Sequence, residues 1–295
     1  MKAAAKQTRC YIPDRFVREV ALHIAKNFMP ANGDRYPLLL GIHGPSGDGK
    51  TFQCEQVLDQ MGVCTFLISG GQLESPDAGG PAQLVRSTYF EAGKWIAGAT
   101  SSARAAALLL NDVDTGLGEW GPLNQTTVNR QTTFGELMHL ADYPEKVENR
   151  ETARVPIIIT GNDLTKLYAP LTRSGRMRSF EWRTTIEERE RIVSELFSDF
   201  RQFDASSLVR QFPDEPVSFF ADVKSMLADE FLWQSLSSQS LDKIVPFVRS
   251  HRFDSAASSN FQDVVRIAND VVKASRFKDH LRKEAHGGNS GKDEH

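Results

Sequence analysis

Eight consecutive residues, Gly44, Pro45, Ser46, Gly47, Asp48, Gly49, Lys50 and Thr51, fit the pattern GxxxxGK[ST] at every position. The pattern constrains the fold because it works only where a strand stops and a helix starts. Glycines there let backbone N–H groups close around phosphate oxygens, the lysine adds charge toward the β and γ phosphates, and the threonine offers a hydroxyl to Mg²⁺ at a helix N-terminus. An apolar run at 38–43 precedes the motif and a helical pattern at 50–61 follows it, with Phe52 in the first turn. ATP and Mg²⁺ are therefore the expected cofactors. Residues 44–52 would hold the nucleotide, and Thr51 would face the metal.

Further apolar runs at 64–69, 107–111, 155–160 and 177–182 alternate with helical patterns at 81–96 and 125–140. That alternation predicts an α/β domain, a parallel sheet with flanking crossover helices. After Trp182 the pattern changes. Thr185 and Glu188 have capping-box spacing ahead of Ile192, Val193, Leu196 and Phe197, and no buried-strand run follows, so a smaller all-helical domain is expected. Its breaks fall near Phe212-Pro213 and at 235–240, and its last long helix at 261–280. The organisation read from this is an N-terminal segment 1–34, a nucleotide-binding domain 35–183, a helical lid domain 184–286 and a flexible tail or linker stub 287–295.

Two strand ends carry chemistry. The run Leu108, Leu109, Leu110 closes on Asn111, Asp112, Val113 and Asp114, where a carboxylate can hold Mg²⁺ and polarise an attacking water. The position that is usually Asp in such strands is the neutral Asn111, so Asp112 and Asp114 must supply the charge, with Asp112 the second metal ligand after Thr51. The run Ile157, Ile158, Ile159, Thr160, Gly161 closes on Asn162, an amide able to sense the γ-phosphate or hold the lytic water. Farther on, Arg173 and Arg176 stand three apart and on a helical turn would point to one side. Arginines outside the phosphate loop suggest charge supplied to a neighbouring subunit's nucleotide.

Charge narrows the partners. Lys+Arg number 35 against 38 Asp+Glu, a formal net charge of −3, which gives no global basic field for nucleic acid or anionic lipid. Neither nucleic acid nor membrane is an expected partner, and no apolar run approaches membrane-spanning length. The three cysteines, Cys10, Cys54 and Cys64, have no metal or redox spacing and read as reduced thiols.

With these elements in this order the chain resembles the AAA+ ATPases: a P-loop module followed by a helical domain. More specifically it resembles the Rubisco activases of green plants and cyanobacteria. The resemblance is carried by Gln72, Leu73, Glu74 and Ser75 with Ala78-Gly79 and Pro81-Ala82, by Asn111 to Asp114, by Ala153-Arg154-Val155-Pro156, by Thr160 to Asp163, and by Leu167, Tyr168, Ala169, Pro170 and Leu171 leading into Arg173 and Arg176. It covers about residues 35–200 clearly and the helical part weakly. It implies a homo-oligomeric, hexameric ring that hydrolyses ATP to remodel Rubisco as a molecular chaperone, releasing inhibitory sugar phosphates. Pore-facing loops would lie at 73–80, 116–126, with Trp120 as an aromatic grip, and 143–152. Lys224 falls where the family carries a nucleotide-reading arginine, whose forked contact lysine does not reproduce.

The third loop is shorter than in plant activases and the plant-type N-terminal aromatic extension is not found, which favours a cyanobacterial activase-like protein. The implied setting is the bacterial cytoplasm, with carboxysome association open, ahead of the chloroplast stroma. Some proteins of that kind continue through a linker into a small-subunit-like domain, and 287–295 is where that linker would start. A second function stays open: an ATP-dependent scaffold that clusters Rubisco without remodelling it, kept alive by Asn111 and Lys224. A DNA-acting loader would need a basic insertion or a helix-turn-helix, and neither is read here.

Overall fold

The computed structural model describes residues 10–30, 35–74, 77–98, 104–114, 127–200, 203–251 and 260–287, the side chains of 127–128 and 276–287 excepted. Ile12–Arg183 form one compact unit, and the residues from Thr184 on, with Cys10 and Tyr11, form another.

The first unit runs α1 (Asp14–Phe28), β1 (Leu39–His43), α2 (Lys50–Gln60), β2 (Val63–Ser69), α3 (Gly80–Ala97), β3 (Ala105–Asn111), α4 (Thr127–Asp142), a two-stranded ribbon of β4 (Lys146–Val147) and β5 (Arg150–Glu151), then β6 (Ile157–Gly161) and β7 (Met177–Glu181). Five strands form a sheet in the order β2-β3-β6-β1-β7, every pair parallel. Alternation along the strands feeds two cores. Leu39, Leu108, Leu110, Ile157 and Ile159 join Val85, Tyr89 and Leu137 on the α3/α4 side. Leu40, Ile42, Leu109 and Ile158 join Phe16, Val20, Val57 and Trp182 on the α1/α2 side. Burial on both faces is why these strands read as continuous apolar runs.

The sequence reading sets 1–34 apart as a segment, whereas α1 packs into the second core through Phe16, Val20 and Ile24. Those three, four residues apart, make one helical stripe.

The second unit is helical: α5 (Ile186–Leu196), α6 (Ala205–Gln211), α7 (Val217–Leu236), α8 (Ile244–Ser250) and α9 (Phe261–Gly287). Thr185 and Glu188 form the capping box at the start of α5, with Glu188 N–H donating to Thr185 Oγ1 at 3.2 Å and Thr185 N–H donating to Glu188 Oε2 at 2.9 Å. Its core gathers Val193, Leu208, Phe220, Val223 and Ile267. The final helix continues to Gly287, beyond the span expected from the pattern. Among the described residues no helix is long and apolar enough to cross a membrane.

Candidate nucleotide-binding site

The phosphate loop joins β1 to α2. Gly44, Gly47 and Gly49 all have positive φ, at 145°, 82° and 73°. At Gly44 a Cβ would stand 1.9 Å from the Trp182 carbonyl oxygen, so no other residue fits there without moving the backbone at Trp182. Gly49 is the N-cap of α2 and no side chain caps it, which leaves the helix's first N–H groups to be met by another acceptor. A phosphate is the acceptor that such a positive helix end suits.

Lys50 opens α2 and is only 6% exposed. Its ammonium donates to the Gly44 carbonyl at 2.9 Å, the Pro45 carbonyl at 2.8 Å and Asn162 Oδ1 at 3.1 Å. Burial pulls its pKa below the usual lysine range, opposed by the charges of Asp112, Asp114 and Asp48. The loop is braced from behind. The indole N–H of the fully buried Trp182 donates to the Asp48 carbonyl at 2.9 Å, and Gln53 Nε2 donates to the same oxygen at 3.1 Å. Ser46 and Phe52 stand exposed, whereas Asp48 is buried.

The strand ends meet this loop. Asn111 Oδ1 accepts from the hydroxyls of Thr51 and of Thr160, the latter at 2.8 Å. Because Thr51 gives its proton to Asn111, its oxygen keeps lone pairs for a cation. Beside it, Asp112 takes a left-handed backbone, φ 52°, held by its own N–H on Thr160 Oγ1 at 3.2 Å and by Asn111 Nδ2 on its Oδ2 at 3.1 Å. One hydroxyl and one carboxylate, with phosphate oxygens and waters completing the shell, suit Mg²⁺. Asp114 is 1% exposed, and its Oδ2 accepts the N–H groups of Asn162 and Asp163 at 2.9 and 3.2 Å. It thereby fixes the exit of β6, and Gly161 beneath it leaves no room for a Cβ, which would lie 2.9 Å from Asp114 Oδ1.

Arg173 and Arg176 do not behave as a pair. The segment between them is a turn in which Gly175 has φ 98°, so helical spacing does not apply. Arg173 is exposed and has no hydrogen-bonded or ionic partner among the described residues. Arg176 forks onto Asp142 at 2.9 and 2.7 Å and donates to the Pro170 carbonyl at 2.9 Å. In the helical unit, Lys224 donates to the Leu196 carbonyl at 2.6 Å and to Asp199 Oδ1 at 2.7 Å.

Of the segments the resemblance assigns to pore loops, 116–126 with Trp120 lies outside the described residues, as do 75–76 of the first. The third is a clamped ribbon, which sequence reasoning did not find. Arg86 of α3 bridges Glu148 in the ribbon turn and Glu136 of α4, both at 2.5 Å. The Tyr89 hydroxyl donates to the Pro144 carbonyl at 2.7 Å and accepts from Val155 N–H at 3.1 Å. A groove of about 1000 Å³ beside this clamp is lined by no residue of the phosphate loop.

The sequence profile of the ATPase family associated with various cellular activities (AAA) matches residues 40–185. The ribulose bisphosphate carboxylase/oxygenase activase of Anabaena sp. is 44% identical over 228 residues, 75% of this chain and 54% of that protein. That of Nostoc sp. is 43% identical over 227 residues, 74% of this chain and 54% of that protein. The chloroplastic activase of Arabidopsis thaliana is 39% identical over 242 residues, 79% of this chain and 50% of that protein. The chain thus spans about half the length of the curated relatives it matches. With a phosphate loop, a polar β3 end and a β6 amide converging on Lys50 within the matched span, the chain belongs to the AAA family of ATPases, and its relatives there are Rubisco activases.

Proposed function

We propose that this chain is the ATP-hydrolysing core of a Rubisco activase: an oligomeric, ring-forming motor that uses ATP and Mg²⁺ to remodel Rubisco and release inhibitory sugar phosphates. The observation that carries the reading is the convergence of Lys50, Asn162 and the Thr51–Asn111–Asp112 cluster at the head of α2. Lys50, Gly47 and Gly49 neutralise and cradle the phosphates, with Gly44 and Pro45 orienting Lys50 through their carbonyls. Thr51 and Asp112 would hold Mg²⁺, which supplies positive charge at the phosphate oxygens. Asn162, positioned by Asp114, orients the attacking water or reads the γ-phosphate. Arg173, the exposed arginine of the turn, supplies charge to the nucleotide of a neighbouring copy, while Arg176 holds that turn on Asp142. A bacterial cytoplasmic setting agrees with the cyanobacterial relatives.

The neutral Asn111 favours a second reading, in which slow or absent hydrolysis leaves an ATP-dependent scaffold that clusters Rubisco. One experiment separates them. Rubisco inhibited by a bound sugar phosphate is incubated with the protein and either ATP or a non-hydrolysable analogue. Recovery of carboxylase activity with ATP alone, lost in Lys50→Ala, supports remodelling. Clustering without recovery supports the scaffold, and no interaction with Rubisco overturns both.

A further inference from the structure

The turn bearing Arg173 borders a pocket of about 620 Å³ whose walls include Arg35, Tyr36, Asp142, Arg154 and Arg176. Four guanidiniums thus face one carboxylate, in a chain whose net charge is −3. Arg176 alone of the four makes a hydrogen-bonded ion pair among the described residues, its fork onto Asp142, whose charge Arg35 also feels. Arg154 is half-buried and held by two uncharged acceptors, Asn27 Oδ1 at 2.8 Å and the Tyr36 carbonyl at 2.7 Å. Burial draws its pKa below the usual guanidinium range, opposed by Tyr89 and by the charge of Glu145. Arg35 and Arg173 are exposed; Arg35 acts on Asp142 through charge alone, and Arg173 has no hydrogen-bonded or ionic partner among the described residues.

A half-buried guanidinium without a paired carboxylate is costly, and its cost falls when an anion enters beside it. Guanidinium forks match the oxygens of phosphate, which they grip two at a time. Arg154 is already fixed by its two acceptors, so it loses little rotamer freedom on binding, while Arg35 and Arg173 are exposed members of the lining. We propose that this pocket is a phosphoryl-binding site, in which Arg35 and Arg154 act with Arg173. The source of the phosphoryl group is either the nucleotide of a second copy, which rests on the reading of Arg173 given above, or a free phosphate compound.

The test has two arms. In the first, inorganic pyrophosphate is titrated calorimetrically into the Lys50→Ala chain, whose phosphate loop lacks its cation, with and without Arg35→Ala. Arg35→Ala lowers the affinity about ten-fold, the worth of one charge-assisted contact, and Arg35→Lys recovers most of it. Arg35 is exposed, so the melting temperature of the variant stays level and reports that folding is intact. In the second arm, ATP turnover of Arg35→Ala is measured alone and mixed with Lys50→Ala chains. Turnover depressed alone and regained on mixing identifies the second copy's nucleotide as the source. Weakened pyrophosphate binding with unchanged turnover identifies a free phosphate compound. Full turnover by Arg173→Ala, with pyrophosphate binding still dependent on Arg35, removes the trans reading of Arg173 and leaves the pocket standing. Unchanged pyrophosphate affinity and unchanged turnover in Arg35→Ala overturn the proposal.

Discussion

Replacing Trp182 with phenylalanine tests whether the phosphate loop is held in shape from the neighbouring edge of the sheet, just past β7. The indole lies edge-on to Phe16, centroids 4.9 Å apart, and tilted against Phe180 at 6.1 Å, with the Arg15 guanidinium 4.2 Å from its centre. Phenylalanine keeps most of that packing and deletes the N–H that meets the Asp48 carbonyl. Losing one buried hydrogen bond costs about 1 kcal/mol, and Gln53 still satisfies the abandoned carbonyl, which keeps the loss at that level. The smaller ring adds about 1 kcal/mol of lost packing. Together they lower the melting temperature by roughly 4–8 °C for a unit of this size. Trp182→Ala, which also opens a cavity, costs about 4 kcal/mol. The discriminating assay is nucleotide affinity at a temperature where both proteins are folded. If the indole preorganises the loop, Trp182→Phe weakens nucleotide binding by about ten-fold, because the ordering it supplied must come from binding energy. A variant that melts as calculated yet binds nucleotide as tightly as the parent refutes the bracing argument and leaves Trp182 a packing residue only.

Asp112→Asn should retain nucleotide binding and lose most hydrolysis, measured as single-turnover phosphate release, because it removes the carboxylate charge while keeping the amide contact with Asn111. Arg176→Ala should lower stability only slightly, read as a small drop in melting temperature, since the Asp142 pair is solvent-exposed. The Asp142 carboxyl is held below its ordinary range chiefly by that fork. The pair's contribution is therefore present above the unfolded carboxyl pKa and lost as pH falls through the folded one, so acid melting curves of parent and variant should converge below about pH 4.

The sequence was informative where structure is local. A glycine-rich loop between a buried strand and a helix is written in consecutive residues, and so are the polar ends of β3 and β6, which is why Lys50, Asp112 and Asn162 stand out as candidates from the sequence. Trp182 could not, because its contact with Asp48 joins residues 134 positions apart and a buried tryptophan reads as core. The Arg86 clamp escaped for the same reason, its partners lying 50 and 62 positions away. Arg173 and Arg176 show the opposite failure. Their three-residue spacing reads as helical, whereas Gly175 with its left-handed backbone turns the second arginine back onto α4.

The interior position of β1, between β6 and β7, has a kinetic consequence. Leu39 pairs on one side with Ile157 and on the other with Met177, so the strand that launches the phosphate loop has no sheet neighbour until well over a hundred further residues are available. Pairings of such sequence separation form late, after their loop-closure entropy has been met. During synthesis the motif is thus among the first parts of the unit to leave the ribosome and among the last to acquire its shape. A nascent chain stalled before β7 would carry every residue of the GxxxxGK[ST] signature without the edge strand that braces it.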